Sequence, residues 1–191
     1  MKHNIFAIEL CLRLTPESRL RAALRELIVR HPAASTPGQK WNLLKRATQL
    51  LLEHQELFEK GCWDFFDDDG RAKSDYDMWC GGMISEEGVR AEPSSRPGDY
   101  GGEPRYLTFT ISLLLKAGEP SAGALARLCD IPERDLWKRS TFVRILRGLS
   151  SVSFAAVKSD VLYLIPGEDH WALTAADLEH DKFDYLRPIV S

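Results

Sequence analysis

The stretch YLTFTISLLL, residues 106–115, constrains the fold more than any other part of this 191-residue chain. Large apolar side chains occupy every second position, namely Leu107, Phe109, Ile111, Leu113 and Leu115. The segment FAIELCLRL, residues 6–14, repeats the pattern with Phe6, Ile8, Leu10, Leu12 and Leu14. Because neighbouring side chains of a strand point to opposite faces, each segment is predicted to be a strand with one buried face.

Helical periodicity fills the sequence between these two strands. Thr15 is a suitable N-cap and Pro16 suits a first helical turn, so a helix is predicted to begin there. A longer helix is predicted from about Trp41 to Lys60, where apolar residues form a broad arc. Gly61 follows it directly and is interpreted as the glycine that ends the helix.

The second half of the chain adds further elements of both kinds. Two helices are predicted between residues 121 and 149, the later one opened by Pro132, and a strand is predicted near 157–165. Thr174 is expected to cap a final helix. This order indicates an α+β fold, a small mixed sheet of three to five strands covered by helices, with at least one crossover connection.

Length and composition favour one soluble domain. A chain of 191 residues with 44% hydrophobic and 28% charged residues is typical of a single globular domain over residues 1–191. Residues at about 81–104 are rich in glycine and proline, which indicates a loop or linker. The formal net charge of −3 gives no general attraction to nucleic acid or acidic lipid.

The N-terminal sequence and the cysteines indicate in which cellular compartment the protein is expected. Glu9 and Arg13 interrupt the first apolar run, so no signal peptide is predicted, and no window reaches the length of a membrane span. The four cysteines form no CxxC pair and are interpreted as reduced thiols. We therefore expect a cytoplasmic protein.

Residues 61–82, GCWDFFDDDGRAKSDYDMWCGG, read nearly the same from both ends. Two pairing arms would produce this symmetry, with Trp63 opposite Trp79 and Phe66 opposite Tyr76. The sequence therefore predicts a hairpin with aromatic cross-strand pairs and an acidic turn.

Metal binding and a disulfide are the alternatives for the same segment. A calcium loop centred on Gly70 would need oxygen ligands where the chain has Phe65 and Tyr76, so the EF-hand interpretation fails. A looser divalent-ion site in the cluster Asp67–Asp69 remains an open hypothesis, as does a bridge between Cys62 and Cys80. Since no ligand spacing matches a known pattern, no metal and no other cofactor is predicted.

The order of these segments resembles one uncharacterised family. It is the family called domain of unknown function 1517, of cyanobacterial and plastid type. The positions that carry the resemblance are Ser35, Thr36, Pro37, Gly38, His54, Glu56, Pro166, Thr174 and Leu186. The resemblance covers most of the chain and implies a fold more than a function, because the family has no established catalytic residues.

One segment favours nucleic-acid binding. Residues 121–148 are similar to a helix-turn-helix, with a short helix, a turn near Pro132 and a basic second helix. The side chains that would contact nucleic acid are Arg134, Lys138, Arg139, Arg144 and Arg147. DNA binding is therefore the alternative function.

The preferred hypothesis is a non-enzymatic protein that acts through protein–protein contacts. The chain has no GxSxG elbow, no phosphate-binding GxxxxGK loop and no dinucleotide GxGxxG motif, which gives little support for an enzyme. Aromatic side chains near the acidic cluster are the residue types that anchor interfaces. The predicted partner-binding residues are Trp63, Phe65, Phe66 and Trp79.

Overall fold

The computed structural model describes residues 2–84, 101–167 and 171–191, with the backbone alone for residue 69 and residues 78–84. One five-stranded sheet organises the chain. Its strands are β1 (His3–Leu14), β2 (Phe58–Phe66), β3 (Arg105–Lys116), β4 (Val157–Ile165) and β5 (Arg187–Pro188). They lie in the order β4-β3-β1-β2-β5, and each neighbouring pair is antiparallel. The connection from β2 to β3 passes across β1, so the predicted crossover is present.

Five α-helices accompany the sheet in the part of the chain that the structure describes. They are α1 (Leu20–Arg30), α2 (Pro37–Glu53), α3 (Asp69–Ile84), α4 (Pro120–Cys129) and α5 (Arg139–Leu149). The predicted α+β class is confirmed, although the sheet is antiparallel where a mixed one was expected. Within the described ranges, none of these helices is long and apolar enough to cross a membrane.

The main core lies on one face of the sheet, which we call the helical face. The even-numbered residues of β1, from Phe6 to Leu14, pack there against the apolar sides of α1, α2, α4 and α5. The apolar alternate residues of β3 that carried the sequence prediction join the same core. The period-two pattern therefore identified the buried positions of the helical face correctly.

The opposite face of the sheet, the second face, is also covered. Ile5 packs there with Ala72 and Tyr76 of α3, while Cys11 packs with Leu173 and neighbouring residues of the segment 171–186. Because β1 is the central strand, its odd-numbered residues are buried as well, apart from its ends and Arg13. The expectation of one buried face was wrong for β1, and it was also wrong for β3, where Thr108, Thr110 and Ser112 are buried.

The helix predicted from Trp41 to Lys60 has different limits. Thr36 and Gln39 form a reciprocal capping box, so α2 begins at Pro37, and it ends at Glu53. Gly61 lies inside β2 and ends no helix. A Cβ atom there would lie 2.7 Å from Cε1 of Phe142 and 3.0 Å from the carbonyl oxygen of Glu9. The glycine is required by this close approach of α5 to the sheet.

Three further predictions from the sequence differ in detail from the structure. The helix predicted to open at Pro132 begins at Arg139, after a 3₁₀ turn at Glu133–Asp135. The residues after Thr174 form two 3₁₀ turns, Asp177–Glu179 and Asp181–Phe183, where a helix was expected. Of the predicted loop at about 81–104, residues 81–84 belong to α3, and residues 85–100 lie outside the described residues.

Candidate functional site

The predicted aromatic hairpin at residues 61–82 is wrong, because its two arms adopt different structures. The first arm belongs to β2, which pairs with β1, and the second belongs to α3. The Asp68 carboxylate accepts hydrogen bonds from the amides of Gly70 at 3.1 Å and Arg71 at 3.5 Å, which stabilises the start of the helix. Charged pairs four residues apart, such as Arg71 and Asp75 at 3.1 Å, then support its outer side.

The predicted partner-binding aromatics are placed separately. The indole N–H of Trp63 donates to the carbonyl of Leu136 at 3.1 Å, and its ring packs on the helical-face core. Phe65 packs on the same core, whereas Phe66 packs on the cluster under α3. Trp79 lies in α3, and its side chain is outside the description. The three described aromatic rings are half-buried and contribute to packing.

The metal and disulfide hypotheses gain no support from the described residues. Among them, no group of three His, Cys, Asp or Glu side chains could hold a metal ion. Cys62 is a free thiol on β2. Burial raises the pKa of both Cys62 and Cys11 above the usual value for a thiol, so neither is poised as a thiolate.

The structure brings three of the five predicted nucleic-acid-binding residues together. Arg139, Arg144 and Arg147 line a groove of about 560 Å³ on the outer side of α5, which we call the basic groove. Gln55, Ser140, Val143 and Ser191 complete its lining. Ser140, Val143, Arg144 and Arg147 have the three- and four-residue spacing that places side chains on one side of a helix, while Phe142 and Leu146 face the core. Arg139 joins this lining from the first position of the helix.

Backbone carbonyls hold two of the three guanidinium groups in place. Arg144 Nη2 donates to the carbonyl of Leu128 at 2.7 Å. Arg139 donates from Nη1 to Glu56 O and from Nη2 to Phe58 O, both at 3.4 Å. An arginine has five N–H donors, so Arg144 retains several for a ligand, whereas Arg139, whose Nε is buried, retains one on each Nη atom. Arg144 is exposed and Arg139 is half-buried.

The other two predicted residues lie outside the basic groove. Arg134 and Lys138 belong to the segment 130–138 between α4 and α5, and both form ion pairs with Asp135, at 3.6 Å and 2.6 Å. The hydrogen bond from Lys138 is the main reason that the pKa of Asp135 is lowered. A helix-turn-helix has a turn of about three to four residues, so this longer connection makes a different helix pair.

Sequence reasoning missed a buried carboxyl on the second face. Glu9 is only 3% exposed, and Tyr185 Oη donates to its Oε2 at 2.9 Å. Within the described ranges, its Oε1 and the nearby Thr108 hydroxyl lack partners of normal hydrogen-bond geometry. Burial raises the pKa of Glu9, and the Tyr185 hydrogen bond and the hydroxyls of Thr108 and Thr110 oppose this only in part. The environment therefore favours the protonated acid.

A second buried carboxyl that the sequence did not predict links three elements on the helical face. Asp160 of β4 is 8% exposed and accepts from Lys40, near the start of α2, while its Oδ2 lies 2.6 Å from Nε2 of His31, at the end of α1. Burial acts to raise the pKa of Asp160, but the hydrogen bonds from the two partners outweigh it, so this pKa is lowered. No local pattern identifies such a group, since 120 or more residues separate the partners along the chain.

Comparisons with known proteins give no identity for the chain. No family model, no curated protein and no solved structure matches it. The resemblance to the domain of unknown function 1517 family stays a prediction.

Proposed function

We propose that this protein binds nucleic acid through the basic groove of α5, by contacts to the phosphate backbone. The observation that carries the proposal is the lining of the groove, which contains three arginine side chains and no aspartate or glutamate side chain. Arginine suits this role because its planar guanidinium donates two parallel hydrogen bonds to a phosphate group.

The local charge matters more here than the total charge. The chain as a whole carries −3, so a polyanion would be repelled by most of the surface and attracted at this groove. The guanidinium groups of Arg139 and Arg144 are already oriented by main-chain carbonyls, which reduces the side-chain entropy lost on binding.

The number of arginines in the basic groove determines how strongly binding should depend on salt. From Arg139 to Arg147 the helix rises about 12 Å, a length over which a DNA duplex carries about seven charges. Three arginines can neutralise at most three of them, so the logarithm of the binding constant should fall with the logarithm of salt concentration with a slope of about −2.7. Binding should be weak and independent of sequence, with affinity falling about 40-fold between 50 and 200 mM salt.

Fluorescence anisotropy with a labelled duplex, measured across this salt range, tests the proposal. The variant Arg144→Gln/Arg147→Gln should bind more weakly at 50 mM salt and should lower the slope by about two, one unit for each lost phosphate contact. Arg19→Gln/Arg30→Gln removes the same charge from the two ends of α1, outside the groove lining, and should leave the slope unchanged.

Two results would contradict the proposal. If the wild-type protein forms no complex at 50 mM salt, the basic groove does not bind nucleic acid. If both double variants lose affinity equally, the attraction depends on total charge and the groove has no special part in it. A single-stranded probe, expected to give a slope nearer −2.1, shows which form of nucleic acid the groove prefers.

Protein–protein binding by the aromatic set remains a prediction of the sequence. The described members of that set, Trp63, Phe65 and Phe66, are half-buried, so no observation of an exposed anchor favours it.

A further inference from the structure

A second cavity lies at the end of the sheet, beneath the N-terminus of α4, and we call it the sheet-end cavity. It has a volume of about 420 Å³, within the range of small-molecule sites. The residues of its lining that bear on ligand chemistry are Asn4, Asp67, Glu119, Ala122 and Arg127, with Phe65 as an apolar side. It shares no lining residue with the basic groove.

Asn4 is the unusual member of this lining. It lies on β1 opposite Leu115 and is 7% exposed, yet its side-chain amide forms no hydrogen bond with any described residue. The enclosed side-chain atoms without a partner in the described part of the chain do not include this amide, so its atoms reach the space of the cavity. An amide that lines a cavity and has no protein partner is a group available to a ligand.

The first turn of α4 supplies further unused donors. Glu119 is the N-cap residue, but neither it nor any other described side chain caps this helix end. Pro120 has no N–H group and the Gly123 amide donates to the carbonyl of Glu119, so Ser121 and Ala122 carry the free amides of the turn, and of these two Ala122 lines the cavity. The positive end of the helix dipole adds to their attraction for an anionic group.

The cavity lining contains charged side chains of both signs. A Cβ atom added to Gly123 would lie 3.5 Å from Nη1 of Arg127, so this guanidinium lies over the first turn of α4. In the described part of the chain Arg127 forms no ion pair, and it adds positive charge beside the free amides. The carboxylates of Asp67 and Glu119 contribute negative charge to the same lining.

We propose that the sheet-end cavity binds a small zwitterion of the α-amino acid class. The ligand carboxylate is received by the amide of Ala122 with Arg127, and its ammonium group by the carboxylates of Asp67 and Glu119. The Asn4 amide has both donor and acceptor atoms and bonds the ligand from the floor of the cavity. A plain anion would meet the two carboxylates unpaired, and a plain cation would leave Arg127 uncompensated, so a zwitterion matches the lining best.

Titration of ¹⁵N-labelled protein with each of the twenty proteinogenic amino acids tests the proposal directly. At least one of them should cause saturable shifts in the backbone amide of Ala122 and in the side-chain amide of Asn4, with Kd of about 1 mM or tighter. The analogues of the best binder that lack the amino group or the carboxylate should each bind at least about tenfold more weakly.

Asn4→Leu separates a binding role from a structural one. Because the amide has no hydrogen bond to lose, an apolar side chain of similar volume should leave thermal stability unchanged or raise it, while affinity for the best amino acid falls at least about tenfold. Asn42→Leu replaces an exposed asparagine of α2 outside the cavity and should leave the affinity unchanged.

Three outcomes would overturn the proposal. One is the absence of saturable shifts at these amides with all twenty amino acids. Another is equal binding of the analogue that lacks the amino group, which would make the cavity a simple anion site. The third is a marked loss of stability in Asn4→Leu, since this would show that the amide has a structural partner.

Discussion

Replacing Glu9 by glutamine should stabilise the protein, and the gain should grow with pH. Glu9 is 3% exposed at the centre of the second face, and burial raises its pKa above the usual value of 4.5. Above pH 4.5 the unfolded chain releases this proton while the folded protein retains it, so the folded state binds about one proton more. Glutamine copies the neutral acid and can still accept the hydrogen bond that Tyr185 donates.

The magnitude follows from this one-proton difference. The free energy of unfolding of the wild-type protein should lose about 1.4 kcal/mol for each pH unit above 4.5, until Glu9 ionises in the folded state. Other groups also titrate in this window, so the informative quantity is the difference between Glu9→Gln and wild type at each pH. That difference should be small near pH 5 and should increase by the same 1.4 kcal/mol per unit.

Urea denaturation at pH 5, 6, 7 and 8 measures this difference. Midpoints should be compared at a common m-value, because long extrapolations would hide a change of this size. Glu56→Gln changes an exposed glutamate and should give a flat difference near zero. If the Glu9→Gln difference is also flat, or if the variant is less stable at pH 7, the buried carboxyl is not held in its neutral form and the reasoning fails.

Two further predictions concern packing and the buried ion group. Gly61→Ala should cost about 1–3 kcal/mol, because its Cβ would lie 2.7 Å from the buried Phe142 ring. This should lower Tm by about 2–4 °C per kcal/mol, whereas Gly38→Ala, which meets nothing within 4 Å, should not lower it. Asp160→Asn should cost about 1–3 kcal/mol at pH 7, since its two partly exposed basic partners lose their carboxylate. The pKa of Asp160 is lowered, so that cost should begin to shrink below pH 3.8 and should be lost as pH falls through the lowered pKa of the folded state, and a difference at pH 3 as large as that at pH 7 would contradict the assignment.

Local patterns predicted the strands better than the helices that flank them. β3 and β4 lie where alternation placed them, because period two is a property of the strand backbone and needs no information from elsewhere. The helix predicted from Trp41 to Lys60 is correct as far as Glu53 and wrong for residues 58–60, because a short apolar run suits a helix and a strand equally well. Pairing of residues 58–66 with β1 decided between the two.

The near-symmetry of residues 61–82 predicted the wrong structure, again because the pairing partner of a strand lies elsewhere in the chain. A hairpin requires both arms to pair with each other, but the first arm finds β1 as its partner and the second has charged pairs and an N-cap that suit a helix. Pairing between β1 and β2, from Leu12 with Phe58 to Ile5 with Phe66, depends on the tertiary structure, and no feature within the segment reveals it.

By itself the sequence determined the α+β class, the positions of β1, β3 and β4 and the residues that these strands contribute to the helical-face core, because each follows from the periodicity of neighbouring side chains. It also proposed Arg139, Arg144 and Arg147 as nucleic-acid contacts, though it could not show that these three share one groove while Arg134 and Lys138 pair with Asp135. Only the tertiary structure decided that both faces of β1 are covered. Burial depends on which segments pack over a residue, so the raised pKa of Glu9 and the unpaired amide of Asn4 arise from contacts between distant parts of the chain.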